Sequence, residues 1–272
     1  MKKRIAVAGV FLPFFYLIIS AHSPVVFSIF VFLISFLGLW EYYRLYFREG
    51  NLPVLLAGET IAFLILLGFL EKIVENGPLL SGYFLPIVGS AGLLYLSVHL
   101  LVQRASYFLS VNVLGFGLFY VPFFLGHLIL LRGMENGAQL VFFLCFVTWG
   151  TDAGAYFAGK AFGKRKMAPL ISPNKTWEGA AGGLLAGIAF SVLSWYWFLP
   201  FMTLKEAVSL ALALGIAGQA GDLVESMFKR SNQVKDSGSW IPGHGGVLDK
   251  VDSFIFTGPL LYYCVRYFPA GQ

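Results

Sequence analysis

The sequence predicts an all-α polytopic transmembrane helix bundle of about nine spans, with its N-terminus in the cytoplasm. Three observations predict it. Hydrophobic residues make up 58% of the chain and charged residues only 12%, with a mean hydropathy of +0.76, whereas a soluble domain carries roughly 25% charged residues. A chain with so little charge cannot cover a water-facing surface, which leaves lipid as its main solvent. The apolar residues also gather into runs near the roughly 20 residues that a bilayer-spanning helix needs. Finally, Lys and Arg segregate to alternate connections, as positive residues do in short cytoplasmic loops.

The runs in order are Ile5–Ala21, Pro24–Trp40, Leu52–Leu70 with Glu59 inside it, Leu79–Val102 and Ala105–Leu131. Gly137–Gly159 follows, containing Asp152, and then the uninterrupted Gly179–Leu199. Ala207–Gly221 is short and stops at Asp222, and Val251–Phe268 has Asp252 and Arg266 near its ends. With the N-terminus inside, the inside segments hold Lys2, Lys3 and Arg4, then Arg44 and Arg48, then Arg104. They also hold Lys160, Lys164, Arg165, Lys166 and Lys175, and lastly Lys229, Arg230, Lys235 and Lys250. Of the 19 basic residues, only Lys72, Arg132, Lys205 and Arg266 fall outside, and the C-terminus is expected outside too. Residues 1–136 are expected to form N-terminal transmembrane helices, and 137–272 C-terminal helices that carry the site on the cytoplasmic face.

Because the basic residues follow topology, the net charge of +5 implies no nucleic-acid partner. The two cysteines, Cys145 and Cys264, sit in apolar runs and form neither a disulfide framework nor a metal pair. Lys2-Lys3-Arg4 before an apolar run ending near Ser20-Ala21-His22 also has the outline of a cleaved signal peptide. The poor cleavage site and the apolar segment that follows at once favour a retained span.

The chemistry concentrates in the polar stretch from Asp222 to Asp252. If that stretch continues the eighth helix, Asp222, Ser226 and Lys229 lie at i, i+4 and i+7 on one face. Ile241-Pro242-Gly243-His244-Gly245-Gly246 is a loop by its Gly and Pro content, and Asp249 and Asp252 share a face at the start of the ninth helix. Acidic residues at a helix start are also favoured by the macrodipole, which is their plainer explanation. Carboxylate oxygens suit Mg²⁺, and glycines beside basic residues suit phosphate. Together these are the parts of phosphoryl or nucleotidyl transfer. The alternative is a solvated loop whose bases merely obey topology. Asp152, inside an apolar span, is costly to bury and is expected to do a job there. Glu59 raises the same question with no polar cluster around it. His22, His99 and His127 stand isolated in or beside apolar runs and are expected to be structural.

The run from Ser226 through Lys229-Arg230, Lys235-Asp236, Gly238, Ile241-Pro242-Gly243-His244-Gly245-Gly246-Val247 and Asp249-Lys250-Val251-Asp252 resembles the signature of phosphatidate cytidylyltransferases, or CDP-diacylglycerol synthases. Ser172-Pro173-Asn174-Lys175-Thr176-Trp177-Glu178-Gly179 and Thr151-Asp152-Ala153-Gly154-Ala155-Tyr156 resemble two further stretches of that family. One position departs: the family pattern usually has Arg where this chain has Lys250, and an Arg-to-Lys exchange keeps the charge but loses bidentate geometry.

The resemblance implies cytidylyl transfer from CTP to phosphatidate, giving CDP-diacylglycerol and pyrophosphate, in the cytoplasmic (inner) membrane with Mg²⁺ as cofactor. Asp222 and Asp249 are then expected to bind Mg²⁺, with Asp152, Asp252 and His244 completing the catalytic group. Lys229, Arg230, Lys235 and His244 would hold the triphosphate, Gly245 and Gly246 would give backbone contacts, and Ser226 and Asp236 belong with them. Lys175, with Ser172 and Asn174, would meet one substrate's phosphates. Two other readings stay open on the sequence: a CTP-dependent lipid kinase, and a transporter suggested by the intramembrane acids and glycine-rich spans. The stripe Gly179, Gly183, Gly187, and Gly215, Gly218 and Gly221, allow close helix approach, either at a homodimer seam or within one chain.

Overall fold

The computed structural model describes residues 2–47, 52–74, 105–240 and 245–268, and divides the chain into two compact units. Among the described residues the regular structure is helical apart from one small hairpin. Among the described residues, six helices are long and apolar enough to cross a membrane: Pro24–Tyr46, Val54–Ile73, Asn112–Arg132, Gly137–Phe162, Trp177–Phe198 and Leu204–Ser231. Of the other three expected spans, Leu79–Val102 lies outside the described residues. The first and last fold as helices but are not among these six, so the count of nine is not established. Charge explains the last one, which carries Asp249, Lys250, Asp252 and Arg266.

The first unit comprises Met1–Gly133 and Asp236–Leu248. It holds α1 (Lys2–Ser20), α2 (Pro24–Tyr46), α3 (Leu52–Ile73), α4 (Ala105–Leu118) and α5 (Phe124–Arg132). Helix α2 starts where the sequence says it should. Ser23 accepts the Val25 N–H and Pro24 occupies the first turn, where its missing N–H costs nothing. Its inner face buries Phe27, Val31, Leu39 and Tyr43, and the Tyr43 hydroxyl donates to the Leu114 carbonyl at 3.1 Å. Pro122 lies in a single π-helical turn, Phe119–Phe123, that joins α4 to α5. A proline cannot donate into the regular ladder, and a widened turn accommodates that. Arg132, one of the basic residues expected outside, is held by the end of α1. Its Nε and Nη2 donate to the carbonyls of Ile19 and Ala21 at 2.9 and 2.6 Å, satisfying acceptors that a helix end leaves open.

The second unit comprises Met134–Lys235 and Asp249–Gln272. Its elements are α6 (Gly137–Phe162), β1 (Lys166–Ala168), β2 (Ser172–Thr176), α7 (Trp177–Phe198), α8 (Leu204–Ser231) and, from Asp249 on, α9 (Leu248–Tyr267). The strands pair antiparallel, with Lys166 opposite Thr176 and Ala168 opposite Ser172. They give the Lys160–Glu178 connection a folded form that hydropathy does not predict. Glu178 closes its base by accepting the backbone N–H groups of Lys164 and Arg165 at 3.0 and 3.1 Å. Thr176 caps α7, and Thr203 with Glu206 forms a capping box that starts α8. The short eighth run proves to be part of a 28-residue helix that carries on through Asp222 to Ser231.

Small residues set the helix spacing in this unit. A Cβ on Gly183 would come within 2.8 Å of the Thr151 carbonyl, and one on Gly179 within 2.9 Å of the Ala155 carbonyl. The α7 glycine stripe is thus filled by α6 of the same chain. On α8, Gly215 faces Leu184 of α7, while Gly218 faces Ser253 and Thr257 of α9. A Cβ on Gly221 would come within 2.6 Å of the Asp252 carbonyl oxygen. Gly183→Val is accordingly expected to cost about 1–3 kcal/mol through overpacking. A lower melting temperature in detergent would register it, and an unchanged one would refute the packing role.

Candidate active site

The close approach at Gly221 brings α8 against α9 where both carry acids. Asp222 and Glu225 lie three residues apart on α8 and face Asp252 of α9, and their carboxylate oxygens lie within 4.8 Å of one another. Glu225 is fully buried. Two lysines meet this group. Lys175, on β2, places Nζ 2.7 Å from Asp222 Oδ2. Lys229, one helical turn beyond Glu225, places Nζ 2.5 Å from Glu225 Oε2 and 2.7 Å from Asp249 Oδ1. The Ser226 hydroxyl donates to Asp222 Oδ1 at 3.4 Å. Asp152 of α6 is exposed and lies in the electrostatic field of Asp222, Lys175 and Lys250.

Four sequence-distant segments of one unit therefore contribute to one charged cluster: α6 with Asp152, β2 with Lys175, α8 with Asp222, Ser226 and Lys229, and α9 with Asp249, Lys250 and Asp252. Arg230 is engaged differently from the lysines. Its Nε donates to the Ile171 carbonyl at 3.1 Å and its Nη1 to the Val234 carbonyl at 3.0 Å, tying the hairpin to the end of α8. Ser172 and Asn174 share β2 with Lys175, and Asn174 and Lys235 are exposed.

Asp236, Gly245 and Gly246 belong to the first unit. Asp236 is exposed and Gly246 buried. Gly245 has φ of 88°, a left-handed conformation that disfavours any residue with a Cβ. His244 lies outside the described residues.

The carboxylates grouped with Asp222 are Glu225 and Asp252, and Asp249, the other acid expected at the metal, pairs with Lys229. Glu225 was not among the expected site residues, although it sits at i+3 from Asp222 and i−4 from Lys229 and so shares their face. The donor set suits a hard cation: three carboxylates, all-oxygen, with no thiol or imidazole among them.

The family model described as "Cytidylyltransferase family" matches residues 2–268. The chain belongs to the cytidylyltransferase family. This family member is 35% identical over 275 residues to the phosphatidate cytidylyltransferase of Bacillus subtilis (strain 168), covering 98% of each chain. It is 34% identical over 289 residues to the phosphatidate cytidylyltransferase of a Synechocystis species, covering 96% of this chain and 94% of the relative. A phosphatidate cytidylyltransferase from Brucella suis biovar 1 is 47% identical over 154 residues, 54% of each chain. For a cytidylyltransferase, a cluster of acids interleaved with lysines is chemically apt. The acids suit a cation, and the lysines suit phosphate oxygens.

Proposed function

We propose that the chain transfers a cytidylyl group from CTP to phosphatidate, giving CDP-diacylglycerol and pyrophosphate. The observation that carries this reading is the Asp222–Glu225–Asp252 cluster with Lys175 and Lys229 against it. The full-length relatives named phosphatidate cytidylyltransferase support the choice of substrates. The distribution of Lys and Arg supports a site on the cytoplasmic face of the inner membrane, where soluble CTP meets a lipid phosphate at headgroup level.

In this reading an oxygen of the lipid phosphate attacks the α-phosphorus of CTP, and pyrophosphate leaves in line. An ionised phosphate needs no proton removed, so positioning and charge neutralisation carry the rate. Lys175 and Lys229, each already within ion-pair distance of an acid, would donate to phosphate oxygens in exchange. Asp249 orients Lys229, and Ser226 orients Asp222. Asp152 and Lys250 set the field on the α6 side of the cluster. Lys235 and Arg230 add positive charge for the triphosphate, His244 helps to hold it, and Gly245 and Gly246 give backbone contacts. Ser172 and Asn174 assist Lys175, and Asp236 belongs to the same substrate-binding group. Asp222, Glu225 and Asp252 are the residues to hold Mg²⁺, which when bound would offset the negative charge gathered on the phosphates.

Product analysis tests this directly. With α-labelled CTP, phosphatidate and Mg²⁺, label is expected in the lipid fraction with equimolar pyrophosphate. Release of CDP instead would identify a lipid kinase. A chelator is expected to abolish turnover and added Mg²⁺ to restore it, and turnover indifferent to the chelator would remove the metal from the proposal.

A further inference from the structure

Helix α9 begins at Leu248, yet Gly245, Gly246 and Val247 before it carry no side chain able to accept its first N–H groups. Such donors need an acceptor when buried. Here the acceptor comes from α2. Glu41, in the last turns of that helix, is buried to 2% exposure. Its Oε1 accepts the Val247 N–H at 3.0 Å, and its Oε2 accepts the Leu248 N–H at 2.8 Å. The same Oε2 accepts the Ser237 hydroxyl at 2.9 Å. A Cβ on Gly238 or Gly246 would run into this carboxylate, so both positions must be glycine for the approach to exist. One buried side chain thus joins the two ends of segment 237–248. All the residues of this arrangement lie in the first unit.

We infer that Glu41 is a positioning residue for the transfer reaction: it holds Ser237–Gly238 and Gly246–Leu248 together, so that Gly246 is set for phosphate and Leu248 as the start of α9. The inference rests on the CTP reading, because the triphosphate is the ligand that reading gives the loop. A loop only partly in its competent form raises the apparent dissociation constant by the reciprocal of that fraction. The reacting groups, once substrate is bound, are unaltered. Glutamine at this position keeps the shape of the side chain but turns one acceptor into an NH₂ donor facing a backbone N–H donor.

The test uses the full chain in detergent with CTP, phosphatidate and Mg²⁺, and follows exchange of the Val247 and Leu248 amides in the same preparations without CTP. Glu41→Gln is expected to raise KM for CTP about tenfold, with kcat within about twofold and faster exchange at both amides. Ser237→Ala removes one of the three donors and is expected to move KM the same way by about threefold. Unchanged KM and exchange in folded Glu41→Gln would overturn the inference, as would a fall in kcat at constant KM. If Glu41→Gln does not fold, Ser237→Ala decides on the same two readouts. Absence of CTP turnover in the unsubstituted protein would instead sink the substrate reading, and amide exchange would still report whether Glu41 holds the loop.

Discussion

Asp222→Asn is expected to reduce turnover by about 10²–10³-fold while leaving the protein folded. The substitution is isosteric, and the side chain is 36% exposed, so packing loses little. What it removes is a negative charge that faces Glu225 and Asp252 across less than 5 Å and meets Lys175 at 2.7 Å. The three carboxylates proposed to hold the cation lose one ligand, and Lys175 loses its partner. Asp252→Asn is expected to act in the same direction. The double substitution is expected to be about as slow as either single one, because groups that act as a unit are not additive. Turnover of labelled CTP beside melting temperature in detergent checks all three. Two single variants within a few-fold of wild type would remove the cluster from the chemistry. Melting temperatures that fall in step with activity would move it to the scaffold.

Much of this arrangement is legible in the sequence, for physical reasons that differ by residue. Lipid demands long apolar runs, so the spans around Phe27, Leu66 or Leu144 stand out without any partner being known. Ser23-Pro24 and Thr203 with Glu206 mark helix starts because their hydrogen bonds are local. The face shared by Asp222, Ser226 and Lys229 follows from helical period, and the Ser226 to Asp222 hydrogen bond realises it.

Other features resist such reading. Helix α8 outruns its apolar segment, and at Gly221 it closes on the Asp252 backbone, a contact set by tertiary structure. Glu225 was readable from its spacing, but its sequence neighbours do not show that it faces Asp252. The hairpin depends on Glu178 reaching back to Lys164 and Arg165, and its strands are too short and too polar for any alternation to show. Glu41 is the extreme case. It looks like an interfacial acid at the end of a span, and its partners lie about two hundred residues away.

Lys229 is where the fold and the chemistry are hardest to separate, and substitution there is expected to show both. Its ammonium, 13% exposed, is shared between Glu225 at 1% and Asp249 at 9% exposure. Removing one partner from a buried ionic group leaves the remaining charge without compensation, which typically costs about 3–5 kcal/mol. Lys229→Met should therefore lower the melting temperature markedly and abolish turnover together. Adding Glu225→Gln removes one of the stranded charges. The double variant is expected to regain part of the stability, with a coupling energy of about 0.5–3 kcal/mol, and to stay inactive because both the cation proposed for the phosphates and an acid proposed for the metal are gone. Recovery of stability without activity would assign Lys229 both tasks. If Lys229→Met melts with wild type, the three charges are solvated in solution and the ion pairs do not hold α8 to α9. If the double variant regains turnover, the lysine serves only to neutralise Glu225, and the phosphates are met by Lys175 and the basic residues beyond α8.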